Sequence, residues 1–223
     1  MLSSMRASFT PTGGFFYHYS AWRYNRSLWG PFRHKLNGWL KRWNPQQKNL
    51  VLVGASGGYS LNEDFLSRFD NLTCIDPDPL ARLLFKRRFS ELSVDWVEHD
   101  YFRLDTSSPQ PHGWKQISND FSDHAILICN FLGQAPLLLA KQFKNETFNK
   151  QYVEWKTYLN LALENRSWAS YHDLYSASKP GRASAPTVID HLTADLFIRY
   201  RSKEQFMWHR LPTEVHLIEA LYS

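Results

Sequence analysis

Beyond residue 48 the chain alternates short apolar runs with longer segments whose apolar positions recur at helical spacing. This alternation is typical of an α/β sheet with mainly parallel strands. The run "HAILICN" is apolar enough to predict a strand in the middle of the sheet. The predicted strands, in chain order, are "LVLVG", "LTCID", "VDWVEHD", "HAILICN", "SWASYHD", "QFMWHRL" and "EVHLIEALY".

Helix signals lie between these strands. Ser60 and Glu63 match a capping box, which predicts a helix over "LNEDFLSRF". Asp78 and Pro79 predict the cap and the first position of a helix over "LARLLFKRRF". The remaining expectations are helices over residues 135–164 and over "VIDHLTADLFIRY", a short helix or mobile loop within residues 101–122, and a flexible loop over "SASKPGRASAPT".

The first 48 residues differ from the rest. From Pro31 onward, large apolar residues fall on one face of a predicted helix, namely Phe32, Leu36, Trp39, Leu40 and Trp43. We therefore predict a helical extension over residues 1–48 and an α/β domain over residues 49–223.

Charge is unevenly distributed along the 223 residues, whose net charge is +5. The first 50 residues hold eight basic and no acidic residues, so they carry +8, whereas the other 18 basic residues face 21 acidic ones, giving −3. Basic residues interleaved with aromatic ones suit phosphate contact and base stacking. Helical spacing favours packing for the aromatic residues, so both interpretations of the extension stay open.

Several classes are not indicated. We find no run that is long and apolar enough to cross a bilayer, and the polar start lacks the apolar segment of a signal peptide. Cys74 and Cys129 form no CxxC pair, and the nine histidines show no metal-ligand spacing. We therefore expect a cytoplasmic protein with two free thiols and no metal.

The stretch "GASGG", residues 54–58, has two interpretations. It matches the G-x-S-x-G nucleophile elbow, and Ser56, Asp173 and His216 would then supply the triad of a serine hydrolase. An elbow normally follows several earlier strands, however, and this one ends the first predicted strand. The stretch equally suits a glycine-rich turn that holds a nucleotide cofactor.

The second interpretation predicts an acid at the end of the next strand, about 20 residues on, for the ribose hydroxyls. Asp76 closes "LTCID" at that spacing. The G-x-G-x-x-G pattern of NAD enzymes is absent, because Ser56 and Tyr59 replace its second and third glycines. Glu63 and Asp64 place negative charge where a pyrophosphate would bind, and a sulfonium cofactor without phosphate tolerates this charge better.

With these features the chain resembles the class I S-adenosylmethionine-dependent methyltransferases, most clearly over residues 49–134. The segments that carry the resemblance are "LVLVGASGGYSL", "CIDPDPLA", "WVEHDYF" and "ICNFLGQ". The resemblance implies a seven-stranded Rossmann-like sheet that ends in an antiparallel hairpin. Leu52 stands where the family has an acid, and Ser56 where it has a glycine.

The resemblance also implies a set of site residues and S-adenosylmethionine as the cofactor. Asp76 would hold the ribose, Asp100 the adenine amino group, and Tyr101 would lie near the ring. The full set of expected cofactor residues is Gly54, Ala55, Ser56, Gly57, Gly58, Asp76, Pro77, Asp100, Tyr101 and Asn130. The residues expected on the substrate side are Phe131, Gln134, His172 and Asp173, of which the last two are also explained by structural hydrogen bonds.

The expected function is therefore methyl transfer to an RNA or small-molecule acceptor. Because the methyl group is already activated by its sulfonium, the protein mainly has to position the acceptor, and no universal catalytic residue is expected. Two alternatives stay open: a non-enzymatic nucleic-acid-binding protein on the same scaffold, and the Ser56 hydrolase.

Overall fold

A computed structural model describes residues 14–103, 112–179 and 185–223. Its centre is an eight-stranded sheet in the order β3-β2-β1-β4-β5-β8-β7, with β6 paired to β5 beside this path. The strands are β1 (Asn49–Val53), β2 (Asn71–Ile75), β3 (Val94–Val97), β4 (His124–Cys129), β5 (Trp168–Ser178), β6 (Thr187–Asp190), β7 (Ser202–Leu211) and β8 (Glu214–Tyr222).

The first five strands of this path run parallel, and β8 runs antiparallel between β5 and β7. β4 pairs with β5 only as far as Tyr171 of β5. Further along β5, from Tyr175 to Ser178, β6 is the paired strand. As predicted, β4 lies mid-sheet, and all but its first residue are buried.

Helices cover both faces of the sheet. They are α1 (Gly14–Tyr24), α2 (Gly30–Arg42), α3 (Glu63–Leu66), α4 (Pro79–Arg88), α5 (Gly113–Asp120), α6 (Ala135–Gln142) and α7 (Asn145–Leu163). Among the described helices, none combines the length and hydropathy that a membrane span requires.

Two hydrophobic cores follow from the alternation of side chains along buried strands. Leu50 and Leu52 of β1 belong to the core that includes side chains from α2, whereas Val51 and Val53 belong to the core that includes α5 and α7. A strand that is buried on both faces reads as a continuous apolar run, which explains why the sequence made these strands easy to find.

The aromatic stripe predicted for the extension is part of the first core. Its members are almost fully buried: Phe32, Leu36, Trp39, Leu40 and Trp43. Trp29, just before α2, is 1% exposed, and its indole N–H donates to the carbonyl of Arg210 at 2.9 Å. The packing interpretation therefore holds for these aromatic residues, and α2 is fixed to β7.

The predicted capping box is wrong, although the second predicted cap is confirmed. α3 has only four residues, and its N-cap is Asn62, whose side chain accepts from the amide of Phe65. Ser60 instead forms a 2.7 Å hydrogen bond with the hydroxyl of Tyr171. At α4, Asp78 accepts from the amide of Leu80, and Pro79 is the first helical residue, as predicted.

Two helix predictions also need correction. The region 135–164 forms two helices, because the chain is extended at Phe143 and Lys144 between α6 and α7. The helix expected over residues 188–200 is absent: β6 begins at Thr187 and pairs with the open edge of β5, and the residues after it are irregular. Pairing to an available strand edge prevails over a short amphipathic pattern.

The two loop predictions are partly outside the described residues. Within 101–122 a helix, α5, forms from Gly113, and residues 104–111 lie outside the description. The predicted flexible loop over 176–187 begins later than expected, because β5 continues to Ser178. Residues 180–184 of that loop also lie outside the described parts of the chain.

Candidate functional site

The glycine turn lies at the carboxyl end of β1. In the sheet order, β2 and β4 flank β1 on opposite sides, so the turn sits where the order reverses direction, the usual ligand site of open α/β sheets. Gly54, Ser56 and Gly58 have φ angles of 71°, 50° and 67°. Ser56 therefore keeps the left-handed conformation that the missing glycine of the motif would adopt easily.

Two glycines of the turn are also required by packing. A Cβ on Gly54 would lie 2.9 Å from the Cβ of Phe131, and a Cβ on Gly58 would lie 2.5 Å from the ring of Phe89. Close approach of aromatic residues thus explains these two glycines even before a ligand is considered.

Asp76, directly after β2, holds the turn in place. Its carboxylate accepts from the backbone amide of Ser56 at 2.9 Å and from that of Asp78 at 3.0 Å. Burial raises the pKa of Asp76 to about 6, although the two amide bonds oppose this shift. Each carboxylate oxygen accepts one of these bonds and retains a second acceptor position.

The N-terminal helix covers this edge of the sheet. His18 of α1 is buried, and its two ring nitrogens form hydrogen bonds with the hydroxyl of Tyr59 at 2.9 Å and the carboxylate of Asp78 at 3.1 Å. Aromatic side chains close the space above the turn. The cavity is lined by Tyr17, Trp29, Phe32, Gly54, Ala55, Ser56, Ser60, Cys129, Asn130, Tyr171 and Trp208.

The cavity has a volume of about 20 Å³. This is room for about one water molecule. A nucleotide-sized ligand therefore requires some of the lining side chains to move. We call α1 and the aromatic side chains that line the cavity the cover; His18 holds α1 to Tyr59 and Asp78.

Asp100 and Tyr101, like Asp76, are not among the residues that line the cavity. Asp100 accepts from the backbone amides of Phe102 and Arg103, at 3.0 and 2.9 Å, and so shapes its own turn. The Tyr101 ring is buried in the second core, and its hydroxyl donates to Asp120 at 2.9 Å. Their assignment to the adenine stays a prediction.

Of the residues expected around the end of β4, Asn130 lines the cavity. Its side-chain amide donates to the Asp173 carboxylate at 3.1 Å, and its carbonyl oxygen accepts from the Asp173 amide at 3.0 Å. Phe131 packs on Gly54 and against the ring of Phe102. Gln134 stands at the N-cap position just before α6 and, like the exposed Pro77, is not among the lining residues.

His172 and Asp173 separate because successive strand residues point to opposite faces. Asp173 lies beside Asn130 near the cavity, whereas His172 is fully buried near Phe197, in the second core. Burial lowers the pKa of His172 to about 3. The structure does not bring His172 to the site.

No protein-family model matches the chain, and no curated protein matches it. Solved structures do resemble it. The N-methyltransferase NodS from Bradyrhizobium japonicum WM9, in complex with S-adenosyl-L-homocysteine, is 13% identical, with 100% of this chain and 97% of that chain covered and a TM-score of 0.48. A SAM-dependent methyltransferase from Anabaena variabilis is 13% identical, with 82% and 80% covered and a TM-score of 0.48. Magnesium protoporphyrin IX methyltransferase (ChlM) from Synechocystis PCC 6803, with bound SAM, is 11% identical, with 92% and 91% covered and a TM-score of 0.44.

The strand order decides the fold. The order 3-2-1-4-5 is that of dinucleotide-binding sheets, but here the sheet ends in an antiparallel hairpin whose second strand, β8, inserts next to β5. This is the Rossmann-like sheet with a final antiparallel hairpin that the resemblance to the class I methyltransferases implies. The fold class predicted from the sequence is confirmed, with β6 as one strand more than the seven expected.

The sequence did not indicate which residues enclose the cavity above the glycine turn. No spacing rule links residues of the N-terminal extension to a glycine turn that lies much further along the chain. The density of aromatic residues in the extension was the one signal that it packs on the rest of the protein. The residues missed are Tyr17, His18, Trp29, Phe32, Tyr59, Ser60, Cys129, Tyr171 and Trp208.

The triad of the serine-hydrolase alternative does not form in this structure. Asp173 and His216 do meet, at 2.8 Å, but the other ring nitrogen of His216 lies 2.7 Å from the Glu214 carboxylate. Within the described residues, no hydrogen bond joins Ser56 to His216. Burial opposes a charge on His216, but the bonds to both carboxylates raise its pKa to about 9, so it holds a proton where a general base needs a free nitrogen.

Proposed function

We propose that the protein binds S-adenosylmethionine at the glycine turn and transfers its methyl group to an acceptor. The observation that carries this proposal is the left-handed turn from Gly54 to Gly58, tied to the buried acid Asp76 at the reversal point of the sheet. Asp76 retains acceptor positions for two ribose hydroxyls, and the turn brings backbone close to the place where the ligand would lie.

The segment after the turn supports this cofactor over a dinucleotide. A pyrophosphate binds best at a helix N-terminus that directly follows the glycines. Here α3 begins only at Glu63, has four residues, and opens with two acidic side chains. Negative charge at that position opposes a phosphate and is compatible with a sulfonium cation.

When bound, the cofactor supplies a methyl group on a positively charged sulfur. The chain's own residues then have to hold the acceptor in line and exclude water. The aromatic cover suits exclusion of water, since Tyr17, Trp29 and Trp208 already enclose the edge of the sheet. Asn130 is fixed at both its amide nitrogen and oxygen by Asp173, so it offers a rigid wall on the acceptor side.

Calorimetric titration with S-adenosylmethionine and S-adenosylhomocysteine tests the proposal, and we expect micromolar affinity. Because the cover has to open, His18→Ala should speed association, measured by stopped-flow fluorescence of the cover's tryptophans. His34→Ala, an exposed histidine on α2, is the matched control and should associate like the wild type. A folded wild-type protein that binds neither compound would contradict the proposal.

The exposed face of α1 favours a second candidate, in which the protein binds single-stranded RNA, as acceptor or as ligand. The exposed side chains on this helix are Phe15 (53%), Phe16 (57%), Tyr19 (53%) and Trp22 (75%). Arg23 and Arg26 are exposed beside them. Exposed rings beside basic groups provide stacking and phosphate contacts.

We expect Trp22→Ala to weaken RNA binding about 10-fold if one base stacks on this ring. Fluorescence anisotropy with a labelled single-stranded RNA, repeated at rising salt, measures the effect. Tyr200→Ala removes an exposed ring elsewhere and should leave binding unchanged. Equal affinity of both variants and the wild type would exclude the α1 face as the RNA site.

A further inference from the structure

Three buried side chains meet beside the middle of β5. Asp173 of β5, His191 just after β6 and His216 of β8 each offer one ligand atom, and these atoms lie within 4.8 Å of one another. All three residues are buried, with exposed fractions of 3%, 6% and 6%. Two imidazole nitrogens and one carboxylate oxygen are a common ligand set for first-row divalent metal ions.

Each of the three is oriented by a second hydrogen bond on its far side. His191 Nδ1 lies 2.6 Å from the carbonyl oxygen of Gly133, an acceptor only, so Nδ1 carries a hydrogen, and Nε2 is the nitrogen that can offer a lone pair to a metal ion. His216 Nε2 lies 2.7 Å from Glu214, and the second oxygen of Asp173 accepts from Asn130. Metal-binding histidines and carboxylates typically have such outer partners.

The outer partners are themselves held in place. Arg210 forms two hydrogen bonds with the Glu214 carboxylate, one to each oxygen. Asn130 is fixed by a bond to the Asp173 backbone amide as well as to its side chain. These fixed partners hold the three ligand atoms within 4.8 Å of one another.

A β-bulge creates this arrangement. The register between β5 and β8 shifts between Asp173 and Tyr175, so that Ser176, not Tyr175, pairs with His216. A bulge changes the alternation of side chains along the strand. Asp173 and Ser176, three residues apart, therefore both reach the histidine pair, with Ser176 Oγ 2.9 Å from His191 Nε2.

We propose that Asp173, His191 and His216 bind a divalent transition-metal ion, with zinc the best match to this ligand set. Three protein ligands leave a fourth position open for water, for the Ser176 hydroxyl or for a donor atom of a bound molecule. The metal would join β6 to the main sheet beside the wall of the candidate cofactor site. The proposal does not rest on methyl transfer.

Sequence spacing could not indicate this site. The ligands stand at positions 173, 191 and 216, on three separate strands or loops, with no HxxxH or CxxC pattern. The expectation of no metal came from that missing pattern, and the proposal departs from it. A metal ion at this point would take the place of the hydrogen that His216 Nδ1 and Asp173 share in the metal-free protein.

Titration of the chelator-treated, untagged full-length protein with Co²⁺ tests the proposal. We expect one equivalent to bind with visible d–d absorption bands, and Zn²⁺ to displace it. His191→Gln should abolish the bands, while its amide N–H can still donate to Gly133. Glu214→Gln, which alters only an outer partner, should weaken affinity about 10- to 100-fold.

His209→Ala, an exposed histidine on β7, is the matched control and should bind like the wild type. If circular dichroism shows that His191→Gln does not fold, the thermal unfolding of the wild type tests the proposal instead. Zn²⁺ should raise its unfolding midpoint, and a chelator should reverse this rise. No d–d bands with the wild type, or equal bands with a folded His191→Gln variant, would overturn the assignment. An unfolding midpoint that Zn²⁺ leaves unchanged would also overturn the assignment.

Discussion

Replacing Asp76 with alanine is expected to weaken S-adenosylmethionine binding about 100-fold and to lower the free energy of unfolding by about 2–4 kcal/mol. The carboxylate is the acceptor for the amides of Ser56 and Asp78, and it is only 8% exposed. Without it, two backbone donors at the base of the turn lose their partner. The turn loosens, and the proposed ribose contacts are lost at the same time.

Asp76→Asn separates these two effects. Its amide keeps one acceptor oxygen, but its NH₂ group faces the other backbone N–H. We expect about half of the stability loss and about a 10-fold loss of affinity, because a neutral acceptor forms weaker hydrogen bonds than a charged one. Urea denaturation and calorimetry on the same samples measure both. Full affinity in the folded Asp76→Asn variant would remove Asp76 from the proposed site.

The pH dependence gives a further check. Burial raises the pKa of Asp76 to about 6, so its charged form is lost as the pH falls from 7 to 5, and cofactor affinity should fall with it. The effect of Asp76 on stability has the opposite sign. A carboxyl group whose pKa is higher in the folded than in the unfolded protein stabilises the fold when the pH is below the unfolded-state pKa. This contribution to the free energy of unfolding disappears as the pH rises through the folded-state pKa of about 6. Weaker binding at pH 5 therefore does not reflect unfolding caused by Asp76, and Asp76→Asn should show a flat binding profile.

The sequence was sufficient for the features that are local. Continuous apolar runs identified the central strands, and Asp76 could be placed at the end of β2 because one strand, one glycine turn and one helix fix the spacing. The stripe from Phe32 to Trp43 could be read because α2 is a regular helix with one buried face.

What the sequence did not reveal depends on contacts between distant segments. His18 reaches Tyr59 and Asp78 across 41 and 60 residues, and no periodicity encodes such a pair. Residues 188–200 have the pattern of an amphipathic helix, which led to the helix prediction. The pattern cannot show that β5 extends beyond its pairing with β4 and offers a free edge to this segment. The bulge that brings Asp173 to His216 is likewise a property of paired strands and not of either strand alone.

Trp29→Ala is expected to cause the largest loss of stability, about 3–5 kcal/mol. The indole is 1% exposed and packs edge-on against Trp208 at 4.9 Å between ring centroids, with Tyr17 and Tyr59 close by. Its removal leaves a cavity between the extension and β7 and takes away the donor to the Arg210 carbonyl. Urea denaturation followed by circular dichroism measures the loss.

Two conservative substitutions distinguish packing from hydrogen bonding. Trp29→Phe keeps a ring but removes an N–H that has an acceptor, whereas Trp39→Phe removes an N–H that has none among the described residues. Trp39 is equally buried. We therefore expect Trp29→Phe to lower the free energy of unfolding by about 1–2 kcal/mol more than Trp39→Phe does. Equal losses of stability would mean that the hydrogen bond to Arg210 contributes nothing.

This result also bears on how the extension can be studied. If Trp29 and its neighbours stabilise the sheet, deleting residues 1–48 exposes the first core, and loss of RNA binding in such a truncation would only report unfolding. The exposed residues of α1 have to be tested one at a time in the full chain. A Trp29→Ala protein that keeps wild-type stability would instead show that residues 1–48 are a separable attachment, and truncation would then become the simpler experiment.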